Sequence, residues 1–299
     1  MRLLFLSALF SAVTCFGSFA QSSPDPGPKV LIVTAHPDDD AMFAATVYRI
    51  THALEGAVDL ALLTDGAGGY RFSVLAEEIY GLKLTDPEVA RNYLPAIRKQ
   101  ELMAGGRIVG IRNYFFLDQP DQGKTENADS ILTHVWDVEY VDARLDDILR
   151  RGSYDFVFTH LPIKPFHAHH KAATILALRA VERISQAERP VILGSFTTGG
   201  LVDVVNAFVE LDGFPETRIL KEHGPFVFDR DTRFGAENRL DYNIVVNWLI
   251  AEHKSQGTMQ LFMGNSGVER FWVYAINGAE AVIRAAELME RVRTAPGPG

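Results

Sequence analysis

The chain is poor in cysteine, in runs of basic residues and in long apolar segments, and each shortage excludes a class of function. Its only cysteine is Cys15. Beyond that point a cysteine nucleophile, a thiolate metal site and a disulfide framework are all ruled out, so any metal must be held by histidines and carboxylates. Lys and Arg number 29 against 38 Asp and Glu, a formal charge of −9, and the cations are scattered. Such a chain lacks the electrostatic footprint of a nucleic-acid binder. After the first twenty residues no run is long and apolar enough to span a bilayer. There is no internal repeat and no low-complexity tract. What is present is an ordinary globular composition, 47% hydrophobic and 22% charged over 299 residues, enough for a large core in one domain or two small ones.

The N-terminal stretch "MRLLFLSALFSAVTCFGSFAQSS" has one Arg, an apolar run, and Ser18 and Ala20 before Gln21. This is the pattern of a secretory signal peptide over residues 1–20; an uncleaved anchor is the alternative. Cleavage would remove Cys15 and send a cysteine-free chain to the periplasm or the exterior. Residues 21–28 read as an exposed Pro-rich lead-in, and residues 29–292 as a single domain with insertions.

Within that domain apolar runs alternate with helical patterns. Strands are expected at Val30–Thr34, Val58–Thr64, "RNYFFLD" ending at Asp118, Asp155–His160 and "RPVILGSF". Helices are expected at Ala41–Leu54, Pro95–Val109, Tyr140–Arg150, His167–Ile184 and Tyr242–His253, with a polar insertion from Arg71 to about Tyr93. Alternation of this kind implies an α/β fold, a mostly parallel sheet with helices on both faces. Past residue 200, "LVDVVNAFVELDG", "TRILKEH" and "GPFVFD" read as short strands or excursions.

Two stretches carry chemistry. "KVLIVTAHPDDDAMFAA" ends a core strand in His36, Pro37 and three aspartates; "DFVFTHLPIKPFHAHHKAA" ends another in His167, His169 and His170. Loops at the carboxyl ends of parallel strands converge on the ligand-binding crevice, so the two can meet in space. Three carboxylates in one enclosed loop need a compensating cation or proton. One of them is expected to cap the helix that follows. His167 and His170, three apart at a helix start, share a face, and imidazoles with a carboxylate suit Zn²⁺ with an open position for water.

"AHPDDD" followed some 130 residues later by "HAHH" resembles the LmbE / PIG-L family of zinc-dependent N-deacetylases, whose motifs are AHPDDE and HxDH on a Rossmann-like fold. "LLTDG", "IRKQELMAGGRIVGI" and "EHKSQ" are weaker points of similarity. The resemblance implies His36, Asp39 and His170 as zinc ligands, Asp38 as general base on a metal-activated water, and His167 as general acid or oxyanion partner. It implies Arg98 as a substrate-facing residue, with a helical surface pair between Arg98 and Glu101 as the plain alternative. Asp118, at a strand end, is a candidate for binding sugar hydroxyls, or for capping a turn. His160 could reach the crevice or be a core histidine. His52, His134, His223 and His253 have no partner pattern.

Two departures stand out. Asp40 replaces the family's Glu, and His169 replaces the Asp of HxDH, which leaves open whether His169 or His170 is the ligand. The expected function is a secreted zinc-dependent hydrolase removing the N-acetyl or N-acyl group from an amino sugar or glycan, with no nucleic-acid partner and no membrane span in the mature chain. A metal-dependent phosphoesterase and a non-catalytic carbohydrate-binding protein with a relic zinc site are the other readings. No feature of the sequence sets an oligomeric state.

Overall fold

The computed structural model describes residues 27–122, 125–197, 201–265 and 267–298. The expected signal peptide at residues 1–20 falls outside them. "KVLIVT" forms β1 (Lys29–Thr34), with every residue after Lys29 buried. Burial on both faces is why the strand reads as one apolar run and not as an alternating one. β2 (Ala57–Thr64), β3 (Ile111–Gln119), β4 (Phe156–His160) and β5 (Val191–Thr197) are parallel to it. Val30 pairs with Val58 of β2 on one side and with Phe156 of β4 on the other. β6 (Phe226–Asp229) and β7 (Val268–Val273) complete a seven-stranded sheet in the order β3-β2-β1-β4-β5-β7-β6, with β7 antiparallel to both neighbours.

Helices cover both faces, as the alternation implied. Val30 and Ile32 point to a core shared with α1 (Ala44–Ala53), α2 (Pro87–Val109), α5 (Asn243–Glu252) and α6 (Glu280–Thr294). Leu31 and Val33 point the other way, to α3 (Val138–Gly152) and α4 (Ala168–Glu182). The period of two along β1 thus sorts its side chains between two cores. Among the described residues no helix is long and apolar enough to cross a membrane.

The boundaries differ from expectation where local chemistry outweighs periodicity. α1 starts at Ala44, because Pro37–Met42 forms a 3₁₀ turn first. α2 starts at Pro87, eight residues early, and runs through Pro95. Its start is the Asp86–Pro87 pair: Asp86 accepts from the N–H groups of Glu88 and Val89, and proline suits the first helical position. "GPFVFD" is a strand, whereas part of "LVDVVNAFVELDG" is a short helix, Val202–Ala207. β7 and α6 were not foreseen. Glu269 in β7 interrupts the apolar pattern, yet it is fully buried.

That burial has a purpose. The Glu269 carboxylate accepts from the N–H groups of Ala45 and Thr46 at 3.0 and 2.9 Å, capping α1 from the sheet. It also pairs with buried Arg230 at 2.8 Å, which donates to the Ala41 carbonyl. The turn bearing the three aspartates is therefore braced by a strand more than 220 residues away in sequence. Removing one partner of a buried, hydrogen-bonded pair leaves the other uncompensated. Glu269→Ala should cost about 3–5 kcal/mol in urea unfolding, and Glu269→Gln clearly less. A loss below about 1 kcal/mol for the alanine variant would remove Glu269 from this role.

Candidate metal centre

The strand order sets the site. The chain steps from β1 to β2 to β3 in one direction, then crosses back to place β4 and β5 on the other side of β1. Loops after β1 and β4 diverge to opposite faces, and the crevice between them is the topological switch point of the sheet. His36 follows β1; His167, His169 and His170 follow β4 at the start of α4. Chain reversal brings together residues more than 130 positions apart.

Asp39 organises the first loop. Its Oδ2 accepts from the N–H groups of Ala35 and His36 at 3.0 and 2.7 Å, which fastens the carboxylate to the end of β1. Oδ1 is left facing outward, 3.0 Å from His170 Nε2. His36 Nδ1 lies 3.0 Å from the same His170 nitrogen. One donor atom each from His36, Asp39 and His170 therefore converges within 4.8 Å. Burial would raise Asp39, but His170 and His160 hold it well below the usual carboxylate range. Burial drives His36 down to about 3, against the pull of Asp121, so its ring is neutral and has a lone pair to offer. One carboxylate and two imidazoles around one point suit a zinc ion with an open position. Among the described residues, buried His170 Nδ1 has no hydrogen-bond partner.

A second set, His36, His167 and His169, also places one donor atom each within 4.8 Å. His169 is buried behind His36, stacked on Trp136 with ring centroids 5.3 Å apart. His167 is the N-cap of α4, accepting from the His169 N–H at 3.4 Å, and it lines the cleft.

The three aspartates do three different things, and none of them caps α1. Asp39 is fixed as above. Asp40 is buried and accepts from His253 Nε2 at 2.8 Å; burial alone would depress His253, but Asp40 raises it above its ordinary value. Asp38 faces the cleft. With its amide turned so that Oε1 accepts from His253 Nδ1, Gln256 donates to both Asp38 oxygens at 3.1 Å. Burial, then the neighbouring Asp39, pushes Asp38 up to about 6.

Two expectations on substrate-facing residues meet a different geometry. Arg98 and Glu101 are no surface pair, being 4% and 3% exposed. Arg98 lines the cleft, yet all five of its N–H groups are engaged within the protein: with the carbonyls of Gly66, Gly68 and Ser255 and the hydroxyls of Ser73 and Ser255. It fastens the glycine turn after β2, and Glu101 fastens Ser255 at 2.7 and 2.8 Å. Asp118 is not brought to the cleft. Its backbone turns left-handed (φ 50°) and its half-exposed carboxylate pairs with Lys99 of α2. Asp121, three residues on, takes the inward place: its Oδ1 lies 3.6 Å from His36 Nε2 and 3.4 Å from His169 Nδ1. His160 is fully buried, 3.7 Å from Asp39 Oδ1, and burial lowers it to about 4.

Sequence reading missed Asp121, His253 and Gln256. "EHKSQ" held the signal for the last two, since a His, a Ser and a Gln follow a helix end there. The cleft has a volume of about 720 Å³ and is also lined by Tyr70, Phe72, Arg91 and Met259, a size suited to a ligand of one or two rings.

The profile of the PIG-L family, described as GlcNAc-PI de-N-acetylase, matches residues 31–181, about half of the chain, from β1 through α4. A Bacillus cereus protein described as a probable N-acetyl-alpha-D-glucosaminyl L-malate deacetylase 2 is 28% identical over 188 residues, covering 61% of this chain and 76% of that one. The fold resembles that of the A40926 pseudoaglycone deacetylase Dbv21 (TM-score 0.53, 14% identity, 85% of this chain and 100% of that one). It also resembles the zinc-inhibited form of the teicoplanin deacetylase Orf2 (TM-score 0.51, 15% identity, 83% and 98%). By sequence, and with the α/β fold that the motifs implied, the chain belongs to the PIG-L (LmbE-like) family of deacetylases.

Proposed function

We propose that the protein is an exported zinc-dependent hydrolase, one catalytic domain over residues 29–292 behind a cleaved signal peptide, that removes the N-acetyl group of an N-acetylglucosamine-type conjugate. The observation that carries this reading is the convergence of His36, Asp39 and His170 beside Asp38 at the switch point of the sheet. The family's description and the B. cereus relative both name N-acetylglucosamine derivatives, which makes that sugar the first to test.

His36 Nδ1, Asp39 Oδ1 and His170 Nε2 would hold the ion. Bound there, zinc would supply Lewis acidity to an acyl carbonyl and would bring the pKa of water towards about 7. The remaining steps belong to the chain. Asp38, held by Gln256 on the cleft wall, takes the proton from the attacking water. His167, which also lines the cleft, stabilises charge that develops on the carbonyl oxygen and hands a proton to the departing amine. Arg98 does not donate to substrate; its charge favours the ionised form of Asp38 and its bonds keep the glycine turn rigid. Cleavage of the amide C–N bond releases acetate and a free amine, with no covalent enzyme intermediate.

Elemental analysis should find about one zinc per chain. His36→Ala and Asp39→Ala should remove it along with acetate release from N-acetylglucosamine conjugates. Full metal content in either variant refutes the ligand assignment, and phosphate release from a generic phosphoester without acetate release would favour the phosphoesterase reading.

Asp38→Asn separates base from ligand. Zinc should stay while kcat falls roughly 10²–10⁴-fold. The same substitution should stabilise the metal-free protein. Asp38 is raised from 3.8 to about 6 on folding, so its ionised form opposes folding. That cost is complete above about pH 6 and absent below about pH 4. Metal-free Asp38→Asn should therefore be about 1–3 kcal/mol more stable than the parent at pH 7–8, the gap closing near pH 4. Equal melting of the two at pH 8 would show that Asp38 bears no such strain.

A further inference from the structure

His169 stands where the family pattern has a carboxylate, and its surroundings give it a function as an uncharged acceptor beside Asp121. Its Nε2 lies 3.1 Å from the Gln122 carbonyl oxygen. A carbonyl only accepts, so Nε2 carries the hydrogen, and in a neutral imidazole Nδ1 is then bare. That bare nitrogen lies 3.2 Å from His36 Nε2. The bond between them requires a hydrogen on His36 Nε2, which leaves His36 Nδ1 bare in turn. His36 Nδ1 is the atom that meets His170 Nε2 at 3.0 Å and Asp39 at 3.8 Å.

Asp121 touches both rings, with Oδ1 at 3.4 Å from His169 Nδ1, and it supports the His36 N–H while His169 is neutral. Its Oδ1 is a second acceptor near the same His36 N–H, at 3.6 Å. The Gly68 N–H holds its Oδ2 at 2.9 Å, and a side chain at Gly68 would collide with the carboxylate. A ring whose outward nitrogen faces two acceptors has its tautomer set from outside. Such partners raise ligand basicity and commonly matter 10–100-fold in metal affinity.

We infer that His169, backed by Asp121, is a positioning residue for the metal centre. It transmits the polarity of one backbone carbonyl through two imidazoles, so that His36 presents Nδ1 as a lone pair to the cluster of His36, Asp39 and His170. The inference rests on the zinc reading above and assigns His169 neither a ligand bond nor a proton transfer. It also explains the departure from HxDH: an Asp at 169 would set a second carboxylate beside Asp121, which His169 meets at 3.4 Å. Restoring the family's residue should therefore do harm here.

The test uses the full chain, with zinc affinity read by competition against a chromophoric chelator and ring tautomers read by ¹⁵N NMR of histidine-labelled, metal-free protein. Asn keeps an acceptor near the Nδ1 position, so His169→Asn should hold zinc within about threefold of the parent, while His169→Leu and His169→Asp should weaken it roughly 10–100-fold. His36, assigned by its loss in His36→Ala, should be the Nε2–H tautomer in the parent and a mixture in His169→Leu. An Nδ1–H tautomer in the parent, or parental affinity in the Leu and Asp variants, overturns the inference. So does loss of zinc in His169→Asn, which would make His169 a ligand. A parent that binds no zinc defeats the metal reading, while the tautomer measurement on metal-free protein still decides the relay.

Discussion

Everything in the cleft hangs from two backbone N–H groups at the end of β1. Ala35 and His36 donate to one oxygen of Asp39, and the other oxygen is thereby aimed at His170. This contact draws the chain into a 3₁₀ turn instead of letting α1 start at once. It also allows three consecutive carboxylates to occupy a mostly buried loop, because each faces a different partner. Asp39 meets imidazoles at the switch point, Asp40 meets His253 below, and Asp38 meets Gln256 at the cleft wall. Without that division the repulsion among them would be prohibitive in a low-dielectric setting.

The site is layered. The candidate metal ligands come from loops after β1 and β4, and the groups that hold that part of the cleft come from α2 and from the loops after β2, β3 and α5, which also line it. Arg98 ties the glycine turn to Ser73 and Ser255, and Glu101 secures Ser255 from the same helix. A rigid backing of this kind keeps charged groups in place without water to screen them. Preorganised charge is what hydrolysis of an amide needs where an oxyanion forms.

The alternation of apolar runs and helical patterns was enough to read the parallel half of the sheet, and the strand ends pointed to the cleft. The antiparallel strand β7 was hidden because Glu269 and Arg270 look solvent-facing, while Glu269 lies in the core as half of an ion pair. Helix α2 was cut short in the reading because Pro95 normally ends a helix, whereas the strong Asp86–Pro87 start carried it through. Ligand-type residues were legible because strand-end histidines and aspartates have no cheap structural alternative. Asp121 was not, since one Asp in "DQPDQG" looks like any turn residue until β3 is placed beside β2. Asp118 showed the reverse: strand-end position suggested function, and a left-handed turn sent the side chain outward.

The capping of α1 by Glu269 bears on how far this catalytic apparatus could be moved as a unit. Every candidate ligand lies within residues 31–181, the span of the family match. Yet the helix after the aspartate turn takes its N-terminal acceptors from β7, and Asp38 and Asp40 take their partners from residues 253–256. A fragment ending at α4 would contain the ligands and lack what holds two of the three aspartates in their places. The catalytic motif is thus not a portable cassette; grafting it onto another sheet would require importing the last third of the chain as its scaffold.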